Sequence, residues 1–193
     1  MESSTDFISK LNSREYTISK LTQESKLKSF CCGNTDLDDF LFNDAKIYLK
    51  YLRYTTFLVE SSSEIIAYYS LANDIIQLGA FQDGCDILTD VQDSISPDDV
   101  DFGRYILNQR IFPAVKIGRL AVNEAFQNKG YGTDILEILV MSFIKNNKTG
   151  CQFITVDAIN QPKTIRFYEK NKFQYITSSD IGKESRQMYK ILI

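Results

Sequence analysis

Residues 119–132 read RLAVNEAFQNKGYG. An apolar run ends in an acidic turn. Gly130 and Gly132 then flank Tyr131, and an apolar, helix-like stretch follows, TDILEILVMSFI (133–144). Glycine tolerates positive φ and the close approach of another group. A loop that opens a helix presents backbone N–H groups without intrahelical partners. Those donors and the helix dipole together make an anion site, for which a pyrophosphate is the natural occupant. Lys129 adds a charge at its rim. The chain has no Gly-x-x-x-x-Gly-Lys-Ser/Thr loop. It also misses the dinucleotide fingerprint, because Ile135 stands where the third glycine belongs. Read alone, Gly-x-Gly also fits a plain strand-to-helix turn.

Around this stretch the pattern is mixed. AVKIGRLAV (114–122) reads as a buried strand. Ile135, Leu136, Leu139, Val140 and Phe143 fall on one face of the helix that follows. FITVDA (153–158) is a further strand and PKTIRFYEKN (162–171) a short helix with Pro162 in its first turn. FQYIT (173–177) and MYKILI (188–193) close the chain as strands. Upstream, EYTISKL (15–21) reads as a strand. A helix is expected from Thr35, with Asp38 completing a capping box. TTFLVE (55–60) and IIAYYSL (65–71) make a hairpin. The stretch from about 79 to 110 reads as a long acidic connection or insertion with at most a short helix; seven aspartates and no Lys or Arg lie between Gly79 and Gly103. Strands and helices alternate, so one α/β domain over residues 1–193 is expected, a central mixed sheet with helices on its faces.

Composition narrows the chemistry. There are no histidines among the 193 residues, which excludes Ser-His-Asp and Cys-His catalysis and imidazole metal sites. Proton transfer falls to Tyr, Glu, Asp, Lys, Cys or water. Cys31, Cys32, Cys85 and Cys151 show no disulfide or metal-knuckle spacing and read as reduced, mostly buried thiols. Neither a membrane span nor a signal peptide is visible, so a cytoplasmic location is expected. The net charge of -3 argues weakly against nucleic acid, yet Lys163, Arg166, Lys170, Lys172, Lys183, Arg186 and Lys190 cluster toward the end of the chain.

The longer pattern carries more information than its glycines. RLAV, an acidic turn, Gln-x-x-Gly-x-Gly and an apolar helix resemble the acetyl-CoA-binding motif of the GNAT (Gcn5-related N-acetyltransferase) superfamily. VDAIN (156–160) and RFYEKNKF (166–173) resemble its second motif. Together they cover about residues 114–175. FCCGNTDLDDFL (30–41), TTFLV (55–59) and AYYSL (67–71), in this order before RLAV, resemble the branch that includes toxins of bacterial toxin–antitoxin operons, which acetylate aminoacyl-tRNA. The resemblance implies a mostly antiparallel GNAT sheet, with one parallel strand pair that splays at the cofactor. It implies acetyl-CoA as co-substrate, no metal, and cofactor contacts from Leu120, Ala121, Val122, Gln127, Asn128, Lys129, Gly130, Tyr131, Gly132, Thr133, Asn160 and Tyr168. Two positions depart from the family pattern. Lys172-Phe173 stands where the family has Gly-Phe, so a left-handed helix cap is expected at Asn171. The interval from Asn160 to Tyr168 is one residue longer than the commonest spacing.

On this reading an acetyl group passes directly from acetyl-CoA to a primary amine in a ternary complex. The backbone N–H of Val122 holds the thioester carbonyl, and Tyr168 protonates the leaving thiolate as general acid. No general base is identifiable. Glu124 reads as a surface turn acid and Cys151 as structural, while Arg119 is either a surface charge or a group facing the acceptor. Candidate acceptors are a small amine, a protein amino group and aminoacyl-tRNA, the last served by Lys46, Lys50, Arg53, Arg166, Lys170 and Lys172. A homodimer and an antitoxin are candidate partners; a membrane is not. A non-catalytic CoA-binding module is the remaining alternative.

Overall fold

A computed structural model of the chain describes residues 16–78, 85–145 and 149–192. Its elements run β1 (Thr17–Lys20), α1 (Thr35–Asp39), a π-helical turn (Phe40–Asp44), α2 (Ala45–Lys50), β2 (Thr55–Glu60) and β3 (Ile65–Gln77). Then follow α3 (Cys85–Ser94), α4 (Val100–Leu107), β4 (Ile111–Val122), a 3-10 turn (Glu124–Phe126) and α5 (Tyr131–Lys145). The chain closes with β5 (Phe153–Ile159), α6 (Pro162–Lys170), β6 (Gln174–Tyr175) and β7 (Ser185–Ile191). The seven strands form a sheet in the order β1-β2-β3-β4-β5-β7-β6. It is mostly antiparallel, with β4 and β5 as the parallel pair. The chain divides into two compact units, Met1–Ala72 with Gly118–Glu137, and Asn73–Ile117 with Ile138–Ile193.

In the first unit β1 is exposed along its length, while β3 is buried at every residue from Ile65 to Ser70, so both of its faces are covered there. Thr56 and Ser70 are paired across β2 and β3 and hydrogen-bond to each other at 2.9 Å in full burial, so neither hydroxyl is left unsatisfied. The core gathers Leu21, Phe30, Phe40, Leu41, Leu58, Ile65, Tyr68 and Ala121. The first helix is capped one residue earlier than the sequence suggests. Asn34, in an extended conformation, accepts from Leu37 N–H at 3.2 Å. Asp38 reaches back to Cys32 N–H at 2.9 Å. The expected capping box at Thr35 is therefore not formed: Asn34 caps the helix alone, because Asn caps at least as well as Thr, and Asp38 instead ties down the chain before the cap.

Tyr68 and Tyr69 stand on β3 in this unit. Burial pushes the Tyr68 phenol up strongly and the Tyr69 phenol up to about 12, against an ordinary value of 10.0. In the unfolded chain both ionise near pH 10, while in the fold they stay protonated. Their contribution to stability is therefore complete below pH 10 and is lost as pH rises above it. The melting temperature is expected to fall between about pH 10 and 12. Below about pH 12, tyrosinate absorbance from these two groups should appear only with unfolding.

In the second unit the acidic segment is more ordered than its composition suggests. Its first residues, 79–84, lie outside the described ones. From Cys85 it forms α3 and α4. Ile87 and Val91, four apart, are buried against Phe112, Ala114, Phe153 and Tyr189. The aspartates masked this helical pair in sequence. Asp90 accepts from the Tyr189 hydroxyl and from Gln174 Nε2, each at 2.8 Å, so one acid of the run fastens the helix to strands β6 and β7. Asp180, also in this unit, is almost fully buried and accepts from Arg186 Nε and from Gln187 N–H, each at 2.6 Å.

Among the described residues no helix is long and apolar enough to cross a membrane, and no group of three or more His, Cys, Asp or Glu could hold a metal ion. Cys31 is exposed, Cys32 buried and Cys151 half-buried, all three as free thiols. Cys151 donates to the Phe153 carbonyl at 3.2 Å, in keeping with a structural role.

Candidate active site

The β4–β5 register runs from Ala114↔Phe153 to Ile117↔Val156 and stops there, although β4 continues to Val122 and β5 to Ile159. Beyond Ile117, β4 enters the first unit, and there it leads into the Gly-x-Gly loop. Asn123 ends the strand and is nearly buried. It donates to Ile65 C=O at 3.1 Å and accepts from Ala125 N–H at 3.1 Å, which turns the chain into the 3-10 turn. The side-chain amide of Gln127 donates to Val122 C=O at 3.0 Å and to Cys32 C=O at 2.8 Å. That donor fastens the loop to the strand it leaves.

Asn128 (φ 59) and Gly130 (φ 89) are both left-handed, and residues 128–130 are exposed. Alternating backbone handedness turns successive N–H groups to one side and forms a concave anion nest. The first helical bond of α5 is Asp134 N–H to Gly130 C=O, at 3.0 Å, so the amides of Tyr131, Gly132 and Thr133 lie ahead of it in the first turn. Tyr131 is set edge-on to Phe126 at 5.6 Å and to Tyr16 at 6.1 Å, and Lys129 Nζ sits 5.4 Å from the Phe126 ring centre. The rings stiffen the turn. A nest at a helix N-terminus, with a lysine beside it, fits a pyrophosphate.

Gly118, earlier on β4, was not singled out from sequence. A Cβ there would come within 2.1 Å of Tyr54 Cε1. Gly118→Ala is expected to displace the Tyr54 ring and lower stability by about 1–3 kcal/mol, measured by thermal unfolding. In a Tyr54→Ala background the same change should cost much less, because the clash is gone. Tyr54 stacks on Tyr48 at 5.5 Å, and both lie edge-on to Phe40. The Arg119 guanidinium lies over the Phe40 ring at 5.0 Å.

In the second unit α6 carries Tyr168. Its ring is buried edge-on between Phe167 (5.1 Å) and Phe173 (5.2 Å). The hydroxyl bonds no described residue and is not sealed from solvent. Burial holds the phenol well above its ordinary 10.0, so at neutral pH it has a proton to give and does not act as a base.

The helix ends in two reciprocal bonds, Phe173 N–H to Tyr168 C=O at 3.0 Å and Lys172 N–H to Glu169 C=O at 2.9 Å. This is a Schellman cap. Its left-handed residue is Lys172 (φ 67) and not Asn171 (φ -89), correcting the expectation from sequence. The bond pattern fixes which position turns left-handed. Asn171 instead donates from its side chain to Phe167 C=O at 2.7 Å. Lys172→Gly is expected to stabilise the fold by about 1 kcal/mol and raise the melting temperature by about 2–4 °C. Asn160 uses its side-chain amide on Ile181 C=O and Lys183 C=O, both at 2.9 Å, and so pins the turn before β7. The structure thus gathers Leu120–Val122 and Gln127–Thr133 in one stretch of the first unit, while Asn160 and Tyr168 belong to the second.

Residues 94–175 match the family model described as an acetyltransferase (GNAT) domain. Over that stretch, less than half of its length, the chain is similar to a GNAT acetyltransferase domain. Solved structures similar to it share the GNAT fold over nearly their whole length. A mutant of KacT aligns at TM-score 0.69 with 17% identity, covering 93% of this chain and 96% of that one. AtaTR bound with acetyl-CoA aligns at 0.65 with 18% identity, covering 92% and 94%. AtaT complexed with acetyl-methionyl-tRNAfMet aligns at 0.64 with 16% identity, covering 91% and 94%. No curated protein matches the sequence. The GNAT match spans both sequence motifs, from the end of α3 to the end of β6.

Proposed function

We propose that this GNAT domain transfers an acetyl group from acetyl-CoA to a primary amine in a ternary complex. The observation that carries the reading is the exposed nest at Asn128–Gly130, set at the start of α5 where β4 ends. In this reading the backbone of Asn128 to Thr133 holds the pyrophosphate, with Lys129 at the rim. Leu120, Ala121 and Val122 line the pantetheine arm, and Val122 N–H holds the thioester carbonyl. When bound, acetyl-CoA supplies that carbonyl and the thiolate leaving group. Tyr168 gives the thiolate its proton. Gln127 and Asn160 serve the cofactor by shaping the loops they fasten, since their side-chain donors are already engaged by the chain itself.

For the acceptor, likeness to AtaT complexed with acetyl-methionyl-tRNAfMet supports an aminoacyl-tRNA over a free small amine. A toxin role with an antitoxin partner follows the same likeness, because a structure of AtaT bound to the C-terminus of the antitoxin AtaR is also similar to this chain. A homodimer and a cytoplasmic location complete the proposal.

The test is thiol release from acetyl-CoA by the purified chain, with polyamines, amino acids, peptides and charged tRNA offered in turn. Turnover with one acceptor class is the expected result. If acetyl-CoA neither turns over nor raises the melting temperature, the cofactor assignment of residues 120–133 is wrong.

A further inference from the structure

One apolar surface of the first unit faces water. α2 turns Ala45 and Tyr48 toward the core. Ile47 and Tyr51, four apart and so on one helix face, are 51% and 67% exposed. Phe42, in the π-helical turn before them, is 44% exposed. Leu52 is 90% exposed and left-handed, with φ 55. It closes α2 in a Schellman cap, with Arg53 N–H on Tyr48 C=O at 2.8 Å and Leu52 N–H on Leu49 C=O at 3.1 Å. Glycine or asparagine would serve that cap with less strain and would leave no apolar side chain in water. Leu52 thus breaks two local rules at one position, which is the mark of a residue kept for something outside the fold.

Charge narrows what covers this surface. Lys50 and Arg53 are exposed on either side of Tyr51 and Leu52 in the chain, and among the described residues no carboxylate pairs with either. The exposed acids Asp36 and Asp39 stand at the opposite end of the helical stretch, in α1. An antiparallel second copy would therefore set Tyr51 and Leu52 against carboxylates, and a parallel one would set the cations together. Those carboxylates also oppose an anionic lipid surface. We infer that Phe42, Ile47, Tyr51 and Leu52 are the docking face for an amphipathic helix of another protein, apolar along one stripe and acidic along its edges. Leu52 enters between the apolar side chains of that helix as a knob enters a hole, and its acids meet Lys50 and Arg53. This goes beyond acetyl transfer and does not rest on it.

The test is fluorescence anisotropy with the whole chain and a fluorescein-labelled synthetic helix of about 21 residues, with leucine at the a and d positions of its heptads and glutamate at e and g. The glutamates also keep the peptide from pairing with itself. A second peptide carries lysine at e and g. Saturable binding of the glutamate peptide, weakened by added salt, is expected, with weaker binding of the lysine peptide. Leu52→Asn keeps a residue that tolerates the left-handed cap and removes the knob. It should weaken binding of the glutamate peptide about 5- to 30-fold, while the melting temperature does not fall. Lys50→Glu combined with Arg53→Glu should reverse the preference, so that the lysine peptide binds the tighter. Equal affinity of wild type and Leu52→Asn for the glutamate peptide would overturn the inference, as would the absence of saturable binding. Sedimentation equilibrium of the chain alone examines the competing occupant. A dimer that Leu52→Asn breaks would overturn the inference by assigning the face to a second copy, whereas a state of association that Leu52→Asn leaves unchanged supports a different chain.

Discussion

Tyr168→Phe is expected to lower kcat about 100- to 10 000-fold, the range that one positioned general acid supplies. Stability should hardly change. The ring packs against Phe167 and Phe173, and phenylalanine preserves both contacts. The hydroxyl bonds no described residue, so its removal strands no partner. Burial keeps the phenol protonated through the physiological range, so the proton it gives is present before the thiolate forms. The measurement is steady-state turnover with the acceptor found in the amine panel, beside thermal unfolding with and without acetyl-CoA. A fall in kcat with KM for acetyl-CoA and the melting temperature both retained is the signature of a lost proton donor. Unchanged kcat would reduce Tyr168 to a packing aromatic.

Asp180→Ala is expected to be the most damaging single change to the fold, at about 3–5 kcal/mol. Both oxygens of this carboxylate are engaged, one by Arg186 Nε and one by Gln187 N–H. Arg186 is itself largely enclosed, its guanidinium 4.1 Å from the Tyr175 ring centre. Without the acid, a positive charge and a backbone donor remain away from water. For a chain of this size the melting temperature should drop by about 6–20 °C. Asp180→Asn, which keeps an acceptor for Gln187, should lose less. Asp180→Ala with Arg186→Met should recover much of the loss, because no stranded charge is then left. A loss below about 1 kcal/mol would mean that the pair behaves like an exposed ion pair.

The features legible in sequence are those fixed by nearby residues. The Gly-x-Gly loop could be read because a strand, a turn and a helix within one short stretch determine its backbone. Strands β2, β4 and β5 and helices α5 and α6 were likewise visible in their own periodicity. Local chemistry also explains the near misses, Asn34 in place of Thr35 as helix cap and Lys172 in place of Asn171 as the left-handed residue. In each, the capping residue lies one position from the one expected, and at the first helix the reciprocal capping box is replaced by a single Asn34 cap. Features that depend on distant partners were not legible. Gly118 matters because of Tyr54, Asp180 because of Arg186, and the helix at Ile87 and Val91 because of Phe112 and Phe153. In sequence no motif singles out Gly118 or Asp180, and Ile87 and Val91 lie within an acidic run.

Neither compact unit is one continuous piece of chain. The boundaries at 72/73, 117/118 and 137/138 fall inside β3, β4 and α5. No single cut releases either unit as a cassette, so recombination between relatives cannot exchange one without rebuilding those three elements. The stretch carrying the nest and the stretch carrying Tyr168 are therefore inherited as a set, and this chain should diversify by point substitution, as at Lys172, more readily than by shuffling.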